Sequence, residues 1–313
     1  MQRFRNILLV ANKATGNGTL STAFKRAAAL AKHNQAKLKV VDVLEELPSD
    51  TSGLYRIVPR LDLREMLIEH RLSALDKLVA SLRETGMQVG TKVLFGTPFI
   101  EIIREIMRDQ HDLLIKPATG AGSLKTMLFA STDMHLIREC PCAVWITKPT
   151  KAKKYARILA AVDPTPGDEE KSRLNAKILE LSTSLAESEH SELHVVHAWV
   201  LYEEALLKLL IGNIEKLTRD TRVAHKKWLD ELLQNYTLAK ERNHVHLLEG
   251  KAKDVIPMVA EQESVELIVM GTLSGTGLPR RLIGRTAENV LNRVDCSVLT
   301  IKPEGFVSPV TLE

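Results

Sequence analysis

LIVMGTLSGTGLPRRLIGRTAENVLNRV, residues 267–294, falls into three parts. LIVM at 267–270 is an apolar run of strand length, Gly271 to Thr286 is a glycine-bearing loop, and AENVLNRV returns to helical spacing. A buried strand handed through glycines to a helix is the repeating unit of a parallel α/β sheet. Such joints commonly hold phosphate, because N–H groups freed by small residues converge on an anion and the helix dipole adds to them. The same glycines also serve a tight connection that holds no ligand. Two phosphate fingerprints are missing: there is no Gly-Lys-Ser/Thr of a P-loop, and no G-x-G-x-x-G opens the first β-α unit.

Working outward, the same alternation fills the chain. NILLVA (6–11), LKVVDVL (38–44), VGTKVLF (89–95), DLLI (112–115) and AVWIT (143–147) read as five strands. Between them lie helical patterns: Ala23, Phe24, Ala27 and Ala31 on one face, then Leu67, Leu75, Leu78 and Leu82 within 54–82, then FIEIIREIM opened by Pro98. Strands alternating with helices, and carrying few polar residues, imply a parallel sheet covered on both faces.

After TKAKKY (150–155) the order begins again. RILAAVD (157–163), LHVVHAW (193–199), HVHLLEG (244–250), LIVM and SVLTI (297–301) repeat the five strands, with a long helical region at 203–234. From Gly96 and Gly250 to Pro149 and Pro303 the halves align at a constant shift of 154 residues. Identical pairs include Leu113/Leu267, Thr132/Thr286, Cys142/Cys296 and Lys148-Pro149/Lys302-Pro303. An ancient duplication is the simplest reading, with domains at 1–150 and 151–313.

Composition narrows the classes. With 313 residues, 44% hydrophobic and 26% charged, the chain suits two globular domains and not a disordered segment. A net charge of +4, from 43 basic and 39 acidic residues spread along the chain, gives no nucleic-acid footprint, and 4% aromatics provides no stacking platform. No apolar run reaches the length of a membrane span, MQRFRNILLVANK lacks the features of a signal peptide, and three cysteines suit a reducing cytoplasm.

With the loop, its preceding strand and the aspartate of ILAAVD in view, the chain resembles the universal stress protein family, and most closely its tandem, E-type members. That resemblance implies two Rossmann-like domains of the adenine nucleotide α-hydrolase type, each with a five-stranded, mostly parallel sheet in order 3-2-1-4-5. It also implies pairing of the fifth strands, AVWIT and SVLTI, in an internal pseudo-dimer, with a homodimer of chains allowed. ATP-binding members carry Gly-x2-Gly-x9-Gly-Ser/Thr after strand four and an aspartate ending strand one.

In the second half the motif reads Gly271-x2-Ser274-x9-Gly284-Arg285, with Gly275 beside Ser274 and Thr286 after Arg285. Asp163 matches the strand-one aspartate, and Val196 stands where the family lines its adenine pocket. In the first half it reads Pro117-x2-Gly120-x9-Ala130-Ser131, with Asn12 for the aspartate. Pro117 removes a donor, and Ala130 adds a side chain where the backbone approaches a phosphate. Each lost charge-assisted contact costs about 1.5–3 kcal/mol, so the first site is expected to be dead for ATP and the second partly retained. Arg285 is bulkier than serine yet is also a bidentate phosphate partner.

Other residues read more plainly. Cys140-Pro-Cys142 does not complete a zinc site and suits packing. His194 and His197 lie on one strand, and His244 and His246 share a face of the next, but the sequence places no third acidic or thiol ligand, so no metal is expected. Asp163 as a general base lacks a positioned second group; capping the following turn competes with ligand binding. LYEEALLKLLIGNIEKL (201–217) suits a lid, an interface or core. The expectation is a cytoplasmic, non-enzymatic stress-response protein that binds partners or an unidentified small ligand, with ATP in the second half only. A slow ATP hydrolase and a ligand-free scaffold are the alternatives.

Overall fold

The computed structural model describes residues 4–11, 21–45, 60–118, 129–150, 154–201, 214–234, 236, 244–272 and 284–312. Two compact units divide them. The first takes 4–118, 129–150 and 307–312, and the second takes 154–306. The last residues are tied into the first unit, where Arg104 Nε donates to the Thr311 carbonyl at 2.9 Å.

The first unit runs β1 (Asn6–Val10), α1 (Thr22–Asn34), β2 (Lys37–Leu44), α2 (Arg60–Glu84), β3 (Val89–Phe95), α3 (Pro98–Asp109), β4 (Leu113–Pro117), α4 (Ser131–Glu139) and β5 (Ala143–Thr147). Its strands lie in the order β3-β2-β1-β4-β5, all parallel, with Ile7 opposite both Leu38 and Leu113. The second unit repeats it: β6 (Arg157–Ala161), α5 (Glu169–Glu189), β7 (Glu192–Trp199), α6 (Ile214–Leu233), β8 (Val245–Glu249), α7 (Ala252–Gln262), β9 (Leu267–Gly271), α8 (Arg285–Leu291) and β10 (Ser297–Ile301). Its order is β8-β7-β6-β9-β10, again parallel. Both sheets carry the strand order that the family resemblance implies.

Burial explains why the strands read as apolar runs. Ile7, Leu8, Leu113, Leu114, Ile115, Val144, Leu267, Ile268 and Val298 are fully buried, and every residue of β5 and β10 is buried. Helix α3 presents Ile102, Ile103 and Ile106 to the sheet, and Pro98 supplies its first turn. Glu105 on the same helix is wholly buried, yet it accepts from Lys39 Nζ at 2.8 Å and Lys92 Nζ at 2.7 Å. Burial alone would raise its carboxyl; the two lysines outweigh that and hold it below the usual carboxylate range.

Local signals set the helix ends. The Ser21 hydroxyl accepts from Phe24 N (3.2 Å), and the Asp168 carboxylate accepts from Lys171 N (3.0 Å), at the starts of α1 and α5. The long helix expected over 54–82 is described from Arg60 to Glu84, with Leu75 and Val79 buried. Of 201–217, residues 202–213 lie outside the described residues. Cys140 and Cys142 are buried free thiols with their sulfurs 3.4 Å apart, and burial pushes the Cys142 thiol well up, as packing residues require.

The duplication extends to backbone geometry. Gly96 and Gly250, one repeat apart, both leave strand three at positive φ (134° and 142°). Their N–H groups donate to the last carbonyl of strand two, Leu44 at 2.9 Å and Trp199 at 2.8 Å. A Cβ on Gly250 would stand 2.9 Å from Val255 Cγ2, and one on Gly96 would stand 3.2 Å from Glu101 Cγ. Gly96→Ala and Gly250→Ala are each expected to lower unfolding free energy by about 1–3 kcal/mol, Gly250 more, in urea titrations.

Candidate functional site

A parallel sheet of this order has one place where the crossovers part to opposite faces. In the second unit it lies between β6 and β9, and the crevice outside their carboxyl ends is where such folds bind ligands. Asp163, two residues past β6, stands on one side. Gly271, the last residue of β9, and Thr272 stand on the other.

Thr272 anchors the motif loop. Its N–H donates to the Ile301 carbonyl at 3.1 Å, and its own carbonyl accepts from Gly284 N at 3.3 Å. That second bond joins the two ends of segment 273–283, so the loop is closed at its base. Ser274 and Gly275 fall within that segment and lie outside the described residues. Gly284 is buried and serves as N-cap of α8, where it offers no side chain to the first-turn N–H groups. Arg285 and Thr286, the first two helical residues, are exposed.

Gly271 has a packing reason of its own. A Cβ there would meet Leu174 Cδ2 at 2.5 Å, so α5 closes on β9 only because residue 271 has no side chain. Val196 pairs with Ala161 and is 1% exposed, so its side chain belongs to the core and presents no surface to an adenine ring.

Asp163 is exposed and already engaged. Its carboxylate accepts from Thr165 Oγ1 (2.6 Å), Thr165 N (3.3 Å) and Lys171 Nζ (2.9 Å), while Asn175 clamps its backbone through Asp163 N (3.0 Å) and Asp163 O (2.6 Å). Partial burial would raise the carboxyl; Thr165 and Lys171 prevail and hold it below the usual range. It is therefore held as an anion that caps the turn.

Sequence reasoning missed a histidine pair beside it. The His197 Nδ1–H donates to the Val162 carbonyl at 3.2 Å, which leaves Nε2 to accept from His225 Nδ1 on α6 at 2.8 Å. His225 also lies against Trp199 (ring centroids 5.7 Å apart) and Trp228 (4.8 Å). Nothing in the spacing of 197 and 225 could have paired them. Burial depresses both imidazoles, and the nearby Asp163 carboxylate opposes this without prevailing.

The first unit fills the equivalent place with its own charges. Lys116 on β4 is buried and donates to Asp133 Oδ1 at 2.6 Å, and Asp133, wholly buried, also accepts from Ala130 N at 3.3 Å. One repeat later these two positions are Met270 and Ala287. Where Gly284 N closes the second loop on Thr272, Ala130 N is turned onto Asp133 instead. Pro117 ends β4 as the sequence places it, Ser131 opens α4, and Asn12 and Gly120 lie outside the described residues. A concavity of about 530 Å³ in this unit, lined by Lys39, Asp109 and His111 among others, opens at the amino ends of β1 to β3, away from the switch point.

Lys116→Met and Asp133→Ala are each expected to cost about 3–5 kcal/mol, because each breaks a buried ion pair from one side. The double variant, which installs the second unit's residues, should cost clearly less than their sum in a denaturation double-mutant cycle. A separate expectation concerns pH. His111, His197 and His225 have depressed folded-state pKa values, so the unfolded chain binds more protons as pH falls below about 6.5. Stability, measured in chelator, should therefore fall below that pH, before the carboxylates titrate, and His225→Gln should flatten the fall.

The comparisons with known proteins agree with this architecture. The universal stress protein family matches residues 3–148 and again 154–302. Universal stress protein E of Photorhabdus laumondii subsp. laumondii is 27% identical over 99% of this chain and 98% of its own length. Universal stress protein E of Escherichia coli K12 is 28% identical over 100% and 98%. The crystal structure of a functionally unknown protein from Pseudomonas aeruginosa PAO1 superposes with a TM-score of 0.76 at 26% identity, covering 97% of this chain and 95% of that one. Twice matched along nearly its whole length, and folded twice in the same strand order, the chain belongs to the universal stress protein family.

Proposed function

We propose that this chain acts in the stress response as a cytoplasmic binding protein, with a nucleotide site in the second unit alone. The observation that carries the reading is the asymmetry at the two switch points. In the second unit the closed base at Thr272 and Gly284 leads into a helix with no side-chain cap, whereas Asp133 occupies that place in the first. A phosphate at the second site would take the role that a carboxylate plays in the first.

Arg285 fits this reading. A cation at the first position of a helix opposes the dipole, and its exposed guanidinium becomes favourable once an anion sits at the loop. The engagement of the Asp163 carboxylate by Thr165 and Lys171 favours binding without turnover. Among the described residues no helix is long and apolar enough to cross a membrane.

Calorimetry with ATP tests the site. The parent should give heat, Gly284→Trp should abolish it, and Ala130→Trp should leave it unchanged. Arg285→Ser should weaken binding by about tenfold or more, the loss of one charge-assisted contact; tighter binding would make the side chain an obstruction. Silence from the parent would replace the proposal with a ligand-free scaffold, and phosphate release above a no-protein blank would replace it with a hydrolase.

A further inference from the structure

We propose that His194, His246 and Glu263 form a binding site for a divalent transition metal, zinc by donor chemistry, at the edge of the second unit opposite its switch point. His194 lies near the amino end of β7 and His246 near that of β8, whereas Asp163, Thr272 and Gly284 stand beyond the carboxyl ends of β6 and β9. The two sites are thus separate, and neither reading depends on the other.

Among the described residues, these three bring one ligand atom each to within 4.8 Å of one another. His194 Nδ1 lies 3.2 Å from His246 Nε2 and 4.0 Å from Glu263 Oε2. Tetrahedral zinc with bonds near 2.0–2.1 Å sets its donor atoms about 3.3 Å apart, so the nitrogen pair already has the spacing and the carboxylate needs a small rotation. Two imidazoles and one carboxylate are a zinc donor set, and His244 packs edge-on against His194 with ring centroids 4.7 Å apart.

The surroundings are built rather than incidental. His194 is 3% exposed, and its Nε2 has no hydrogen-bond partner, an unsatisfied polar atom in the core. That nitrogen faces Glu192 Oε2 at 3.8 Å. A Glu192 carboxylate accepting from Nε2–H would fix the tautomer that leaves Nδ1 free for the metal. Arg157 holds both acidic neighbours in place: its Nε lies 3.5 Å from Glu192 Oε2, and its Nη1 donates to the Glu263 carbonyl at 2.7 Å. Glu263 is pinned further as the C-cap of α7, where its N–H donates to Val259 O at 2.9 Å. Burial depresses His194 and His246, in keeping with the unprotonated form a metal requires. The sequence yields two of these ligands on adjacent strands; the third comes from a helix terminus that only packing of α7 on the sheet brings near.

The test titrates tag-free, metal-stripped full chain with Zn²⁺ against a chromophoric chelator and counts bound metal by mass spectrometry. One equivalent should bind. Glu263→Gln and His246→Asn should each weaken it by about 100-fold or more, and Glu192→Gln by about 10-fold. His70→Asn, at an exposed histidine on α2, should change nothing. His194 is left intact because its loss could unfold the core, and the half-exposed His246 and Glu263 carry the test. Zn²⁺ should also raise the thermal midpoint of the parent and not that of Glu263→Gln. No stoichiometric zinc, or zinc binding that Glu263→Gln and His246→Asn leave unchanged, would overturn the site; ATP heats should be the same in all these variants.

Discussion

A parallel strand must be covered on both faces, and that single demand organises this molecule. It makes the central strands apolar runs, puts the crossovers into the second and third strands on one face and those into the fourth and fifth on the other, and leaves one gap per sheet where the two sets part. The candidate sites lie toward the strand ends. Asp163, Thr272 and Gly284 occupy one end of the second sheet, while His194 and His246 occupy the other.

Duplication gives the molecule two trials of the same backbone. Both units turn at a positive-φ glycine after strand three and tie the residue after strand four to strand five, Ala118 N to Thr147 O and Thr272 N to Ile301 O. They part at the next helix. In the first unit Asp133 supplies an anion from within, neutralised by Lys116; in the second, Met270 and Ala287 leave the equivalent place uncharged. The divergence concerns the charges buried at this place, while the backbone ties around it are repeated.

The fold was legible because strand periodicity and burial are local properties, visible in runs such as LIVM and AVWIT. The loops were legible as far as glycine spacing goes. What a side chain meets across the structure was not. Gly271 looked like a phosphate glycine, and its nearest demand is Leu174 on another helix. Val196 looked like pocket lining and proved to be core. Glu263 was one acid among 39 until α7 folded over β7, and His225 needed a helix laid across β7 to reach His197. Each of these depends on contacts between residues far apart in sequence, which composition and periodicity do not encode.

The Lys116–Asp133 pair also joins two elements into one unit of change. Lys116 sits on β4 and Asp133 on α4, and replacing either alone breaks a buried ion pair from one side. Any redesign of the first unit's switch point therefore has to treat the end of β4 and the first turn of α4 as a single piece.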